Sequence, residues 1–147
     1  MVTNVNAYVY TDGSWSSKTP GLYAGAFLVY QGTKLMYKDA GCGVKAATMR
    51  NVAGELSAVM HAASWLKRNN LSAVIVYDYQ GIEKWLTSEW KAKNKFTQAY
   101  QKFMRPYLES GIVSFKWTKA HNGDLGNELA DKEAIKALKN NKVWNRV

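Results

Sequence analysis

The sequence predicts a mixed α/β fold, one sheet with helices packed on it, and three observations carry the prediction. The N-terminal third alternates apolar and polar residues and breaks at turn signals, as antiparallel strands do. After Asn51 the apolar residues move to helical spacing. Between helical stretches lies Ala73–Tyr77, a short and nearly continuous apolar run, which is how a strand buried on both faces reads.

Taken in order, Val5, Ala7 and Val9 alternate with Asn6, Tyr8 and Tyr10 as a first strand, which stops at Thr11-Asp12-Gly13-Ser14. A loop rich in Ser, Pro and Gly follows to Gly21, then a second strand over Leu22–Tyr30. Gln31-Gly32 signals a hairpin turn, and Lys34–Ala40 returns as a third strand that ends or bulges at Gly41-Cys42-Gly43. Asn51 is an N-cap candidate for a helix carrying Val52, Leu56, Val59, Met60, Ala63 and Leu66 on one face, ending near Asn69-Asn70. The Ala73–Tyr77 strand is expected to be central and parallel to the first. A short helix over Gly81–Trp90, a basic loop over Lys91–Lys95 and an amphipathic helix over Phe96–Leu108 follow. Ile112–Thr118 alternates as the last strand, and Asp124 is positioned to cap a final helix through about Leu138. The order is β-β-β-α-β-α-α-β-α, and no internal repeat or linker interrupts it. A single domain over 1–147 is expected, with a tail from residue 139 that frays.

Composition narrows the class. At 147 residues the chain can bury a core without staples, and its one cysteine excludes an intramolecular disulfide framework and a thiolate zinc site. The longest apolar run, Ala24–Tyr30, is far below the ~20 residues of a membrane span. Nothing near Met1 has the form of a secretory signal, so a cytoplasmic protein without membrane association is expected. The formal net charge is +9 and the pI about 9.6, which favours a polyanionic partner, nucleic acid first among them.

Against that basic background, four acids stand where they could converge. Asp12 and Asp78 each lie at the C-terminal end of a strand; if those strands are parallel neighbours, the carboxylates lie side by side where open α/β sheets bind ligands. Glu55 near the start of the first long helix and Asp131 about two turns into the last could turn toward the same place. Taken singly, each has an ordinary explanation: turn former, helix-terminus charge, cap, or polar helix position. Together they would repel. Two unit charges 4 Å apart cost about 4 kcal/mol at an effective dielectric of 20. Oxygen-only donors suit Mg²⁺ or Mn²⁺, and two such ions could clamp a phosphodiester for attack by water.

The segments Tyr10-Thr11-Asp12-Gly13-Ser14, Asn51-Val52-Ala53-Gly54-Glu55-Leu56, Val76-Tyr77-Asp78-Tyr79-Gln80-Gly81 and the stretch from Ala120-His121-Asn122-Gly123-Asp124 to Asn127-Glu128-Leu129-Ala130-Asp131 carry a resemblance. Over nearly its whole length the chain resembles type 1 ribonuclease H. The resemblance implies a five-stranded mixed sheet in the order 3-2-1-4-5. It also implies metal-dependent hydrolysis of the RNA strand of RNA–DNA hybrids, leaving 5′-phosphate and 3′-hydroxyl ends. By position, Asp12 would bridge two Mg²⁺ ions (Mn²⁺ a substitute), Glu55 and Asp78 would complete the site on the leaving-group side, and Asp131 the site that activates water. His121 would assist proton movement or product release, and Glu128 would orient the cluster. Gly13 and Ser14 would lie near RNA 2′-hydroxyls, with Asn51 and Gln80 at the minor groove. Trp90, Lys91 and Lys93 stand where many relatives carry a longer basic protrusion and could bind the DNA strand. A monomer is expected. Two other functions compete: a non-catalytic nucleic-acid-binding module of the same fold, and a DNA-strand transferase or junction nuclease of the superfold.

Overall fold

The computed structural model describes residues 6–119 and 125–145. Five strands, β1 (Ala7–Trp15), β2 (Tyr23–Gln31), β3 (Lys34–Gly43), β4 (Ala73–Tyr77) and β5 (Val113–Trp117), form one mixed sheet in the order β3-β2-β1-β4-β5. The β1–β2 and β2–β3 pairs are antiparallel, while β4 runs parallel to both β1 and β5. The helices are α1 (Asn51–Arg68), the single turn α2 (Gly81–Lys84), α3 (Lys95–Glu109) and α4 (Leu125–Asn140). The expected sheet order and the central, parallel place of β4 are both present. Among the described residues no helix is long and apolar enough to cross a membrane.

Side-chain alternation along β2 divides the sheet into two apolar faces. Phe27 and Val29 join Val9, Ile75, Leu56, Val59 and Leu66 in the main core under α1. Ala24 and Ala26 join Ala40, Ala134 and Ala137 in a small-residue layer under α4. Small residues on both sides of the second layer let α4 lie close to the strands.

Glycines set an even closer approach for α1. A Cβ on Gly54 would collide with the Ala24 carbonyl oxygen, and one on Gly25 with the carbonyl oxygen of Gly54. On β1, a Cβ on Gly13 would collide with the Asn51 carbonyl oxygen and lie 2.6 Å from the backbone nitrogen of Glu55. The helix therefore rests its backbone directly on β1 and β2.

Several boundaries differ from those expected, each for a physical reason. Strand β1 does not stop at Thr11-Asp12 but continues to Trp15, because β2 pairs with it as far as Trp15↔Tyr23. Strand β3 runs through Gly41-Cys42-Gly43, and the irregularity falls at Val29/Tyr30 instead. The hairpin turn is Gly32-Thr33, with Gly32 at φ 61°, so it is Gly32 that needs the left-handed region. Asn51 does not cap α1. A 3₁₀ turn over Ala47–Met49 leads into the helix, Arg50 takes the cap position at φ 58°, and no side chain caps it. Asn94 caps α3 instead, in a reciprocal box in which Thr97 N–H donates to Asn94 Oδ1 at 2.8 Å. The helix expected over Gly81–Trp90 is cut to one turn, after which turns bring Trp85 and Trp90 edge-on at 5.6 Å.

The tail from residue 139 does not fray, as far as Asn145. It crosses the β3 edge from the α4 side to the α1 side. Cys42 N–H donates to the Lys142 carbonyl at 2.8 Å, and Lys142 Nζ pairs with the buried Asp39 at 3.2 Å. Trp144 fills the space above Gly41 and stacks on His61, ring centroids 4.0 Å apart. This strap covers part of an edge strand that would otherwise present unpaired backbone groups.

The close approach of α1 generates a prediction. Gly54→Ala forces helix and strand apart and lowers stability by about 3 kcal/mol, at the upper end of overpacking costs. Urea unfolding checks it; a change below about 0.5 kcal/mol would contradict the contact.

Candidate active site

The parallel ladder between β1 and β4 ends at Tyr10↔Val76. Asp12 and Asp78 each lie two residues beyond that last pair, so they stand in matched positions where the strands part. Gly13 N–H donates to Asp12 Oδ1 at 2.8 Å and fixes its carboxylate. Trp117 holds Asp78 from the neighbouring strand, its indole N–H donating to the Asp78 carbonyl at 2.8 Å. Glu55 arrives from α1, one turn further into the helix than a terminus charge would be, and it is 1% exposed. One oxygen from each of Asp12, Glu55 and Asp78 can be chosen so that all lie within 4.8 Å of one another.

This arrangement is electrostatically unfavourable in the bare protein. Burial, then the charges of Asp78 and Asp131, push the Asp12 carboxyl up to about 8. Burial, then Asp12 and Asp78, drive Glu55 well above the usual carboxylate range, with the nearby Thr11 hydroxyl acting weakly the other way. Neither Glu55 oxygen makes a well-formed hydrogen bond with any described residue. A fully buried, unpaired carboxylate beside two others is costly unless a cation completes it. The donors are all carboxylate oxygens, so the set fits a hard divalent cation and not a thiolate- or imidazole-preferring one.

Asp131 lies on α4 nearly two turns from its start, half-buried and close enough to act on the Asp12 carboxyl through charge and a side-chain hydrogen bond. It stands outside the tight three-acid group. Glu128 is exposed one turn earlier on α4, and His121 lies outside the described residues. Of the expected substrate contacts, Asn51, Gln80, Lys91 and Lys93 are exposed and Ser14 is half-buried. Gly13 is buried beneath the start of α1, where its visible task is packing. Trp90 is half-buried and packed edge-on to Tyr79 and Trp85, with Lys91 and Lys93 beside it in the chain.

Three site residues escape sequence reasoning. Thr11 is 0% exposed and its hydroxyl lies beside Glu55, yet it reads as an ordinary strand residue. Trp117 reads as the end of an alternating strand, and only the β4–β5 pairing at Tyr77↔Trp117 reveals its hold on Asp78. Asn127 is 2% exposed with neither end of its carboxamide hydrogen-bonded to a described residue, one turn before Asp131. Its spacing with Ala130, Ala134 and Ala137 is the signal that it faces the sheet.

The raised Asp12 carboxyl fixes the sign of a pH effect. Between the ordinary value of 3.8 and about 8, the folded protein holds a proton that the unfolded chain has released. Stability of the metal-free protein therefore falls as pH rises through that window. Thermal unfolding in EDTA should show a Tm lower at pH 8 than at pH 5, with millimolar Mg²⁺ reversing the loss and Asp12→Asn reducing both effects, the part due to burial of Glu55 remaining. A Tm that rises across this window and ignores divalent ions would contradict the electrostatic description.

Comparison with known proteins agrees with the fold. A model of the family described as RNase H matches residues 4–139. A ribonuclease H of Orientia tsutsugamushi is 29% identical over 96% of this chain and 91% of its own length. A ribonuclease H of Methylobacillus flagellatus is 31% identical over 88% of this chain and 89% of its own. Among solved structures, RNase H1 from Halobacterium salinarum superposes with a TM-score of 0.75 at 22% identity, over 91% of this chain and 98% of that one. LC11-RNase H1, solved in complex with an RNA/DNA hybrid, gives 0.69 at 14% identity over 90% and 99%. The structural likenesses speak to the fold; the family match, which spans most of the chain and contains all four acids, establishes that this chain belongs to the RNase H family.

Proposed function

We propose that this chain is an endoribonuclease that hydrolyses the RNA strand of RNA–DNA hybrids, using two Mg²⁺ ions held by Asp12, Glu55, Asp78 and Asp131. The observation that carries the reading is the buried Glu55 carboxylate, without a well-formed hydrogen bond, beside Asp12 and Asp78 in a protein of net charge +9. Family membership supports the substrate class, and the family match over 4–139 supports one catalytic domain.

When bound, the ions neutralise the acids, lower the pKa of a coordinated water and stabilise the leaving oxygen. The protein supplies their positions. Asp12 interacts with both Asp78 and Asp131, which suits it to be the shared ligand. Glu55 and Asp78 would complete the ligands of one ion, and Asp131 those of the other. Water attacks the phosphorus, the bond to the ribose O3′ breaks, and the products carry a 5′-phosphate and a 3′-hydroxyl. Trp117 keeps Asp78 from moving along the strand axis as charge develops. His121 is assigned to proton transfer or product release and Glu128 to orienting the cluster, both on the strength of the family motif alone.

Exposed Asn51 and Gln80 flank the acids in sequence, and with Gly13 and Ser14 they are the proposed contacts to the hybrid's minor groove, where RNA displays its 2′-hydroxyls. Lys91 and Lys93, next to the Tyr79–Trp85–Trp90 aromatic group, are the proposed phosphate contacts on the DNA strand.

Asp78→Asn separates binding from cutting. The variant should retain hybrid affinity within about threefold while cleavage in Mg²⁺ drops by at least about a thousandfold, the scale expected when a group acting mainly on the transition state is lost. Cleavage within tenfold of the unmodified protein would remove Asp78 from the metal site. Hybrid binding without any cutting by the unmodified protein would point to the non-catalytic binding module.

A further inference from the structure

A cavity of about 370 Å³ opens between α1, α3 and the β2–β3 side of the sheet, and none of the four acids lines it. Its volume lies within the usual range of small-molecule sites. Four aromatic side chains wall it: Phe27 and Tyr37 from the sheet, Trp65 from α1 and Phe103 from α3. Tyr37 and Trp65 are stacked face to face, centroids 4.7 Å apart at 14°, and Phe27 meets Tyr37 at 5.9 Å, so these walls are held rigid by one another. The C-terminal strap closes another side through Asn145, whose side chain donates to Tyr37 Oη at 3.2 Å.

The charges around the cavity are unequally satisfied. Asp39 faces it, but its carboxylate accepts from Lys142 Nζ at 3.2 Å and from the backbone N–H groups of Ala40 at 2.9 Å and Asn145 at 3.0 Å. That carboxylate is thus neutralised from within. His61 also faces the cavity, stacked on Trp144, and burial lowers its pKa, favouring the neutral ring. Arg68 lines the rim with no carboxylate within 4 Å among the described residues, and its guanidinium is steadied by the Ser64 hydroxyl at 2.6 Å. Among the described residues Arg68 is the one Lys or Arg lining the cavity, and the one acid of the lining, Asp39, is paired with Lys142 and not with it.

We propose that this cavity binds a planar aromatic anion, its ring between the aromatic walls and its anionic group on Arg68. A guanidinium suits this task because it offers a planar pair of donors to a carboxylate. The proposal is independent of the cleavage reading, since the lining contains no residue assigned to catalysis.

The test is a titration of the whole chain with 2-naphthoate and, separately, with the neutral 2-naphthol, followed by amide and indole N–H resonances in two-dimensional NMR. Saturable shifts at Trp65, at residues 61 to 68 and at Asn145 are expected for both compounds, with naphthoate the tighter. Arg68→Gln should weaken naphthoate roughly tenfold, the scale of one charge-assisted contact, and leave naphthol unchanged. Phe103→Ala, at a side chain already 40% exposed, should weaken both without altering the unfolding temperature by more than a few degrees. Both variants should cut a hybrid at the unmodified rate. Absence of saturable shifts up to several millimolar would overturn the proposal. So would shifts centred elsewhere, or an Arg68→Gln effect equal for the two compounds.

Discussion

The direct seating of α1 on the backbones of β1 and β2 is the constraint on which the rest depends. Gly13, Gly25 and Gly54 remove the side chains that would hold helix and sheet apart. Because Gly54 precedes Glu55 and Gly13 follows Asp12, the contact that brings the two backbones together also brings the two carboxylates together. The matched exit of β1 and β4 from their ladder adds Asp78, and α4, seated on small residues of the opposite face, adds Asp131. Strand pairing and helix packing thus act together where the interior strands β1 and β4 part.

Packing on this scale overrides electrostatics. The cluster pushes Asp12 up to about 8 and leaves Glu55 buried without a well-formed hydrogen bond, while Thr11 contributes only one weak hydroxyl. The main core under α1 holds the acids where solvent would otherwise separate them. Stability is given up at the site so that hard cations meet a preformed set of oxygens, and the surrounding positive charge draws a polyanion to the same protein. The C-terminal strap belongs to the other half of this balance. It ties the β3 edge to α1 through Lys142, Asp39, Trp144 and His61, nearly two turns along the helix from Glu55.

What the sequence discloses follows from the range of the interactions. Strand order and the positions of Asp12 and Asp78 are readable, because alternation, strand ends and the apolar run of β4 are local patterns. Glu55 and Asp131 are readable only as members of a set, since each alone is an ordinary helix charge, and the family resemblance then gives the set its roles. The glycine contacts are not readable as such: Gly13 looks like a turn residue and Gly25 like an interruption, and only the folded backbone shows that each faces a helix. The docked tail is hidden for the same reason, since Trp144 and Lys142 find partners on β2, β3 and α1, distant in sequence. The misplaced cap at Asn51 arises from the 3₁₀ turn before it, which starts the helix through backbone bonds in place of a side chain. Trp117 and Thr11 act through a neighbouring strand and a neighbouring helix, which no local pattern records.

The most direct test of the central claim is cleavage of an end-labelled RNA–DNA hybrid in Mg²⁺, run beside duplex RNA, duplex DNA and a four-way junction, each with and without EDTA. The account predicts cutting of the RNA strand of the hybrid alone, at internal positions, with 5′-phosphate ends and complete loss in EDTA. Cleavage that persists in EDTA, or that falls on the DNA strand or the junction, would contradict it.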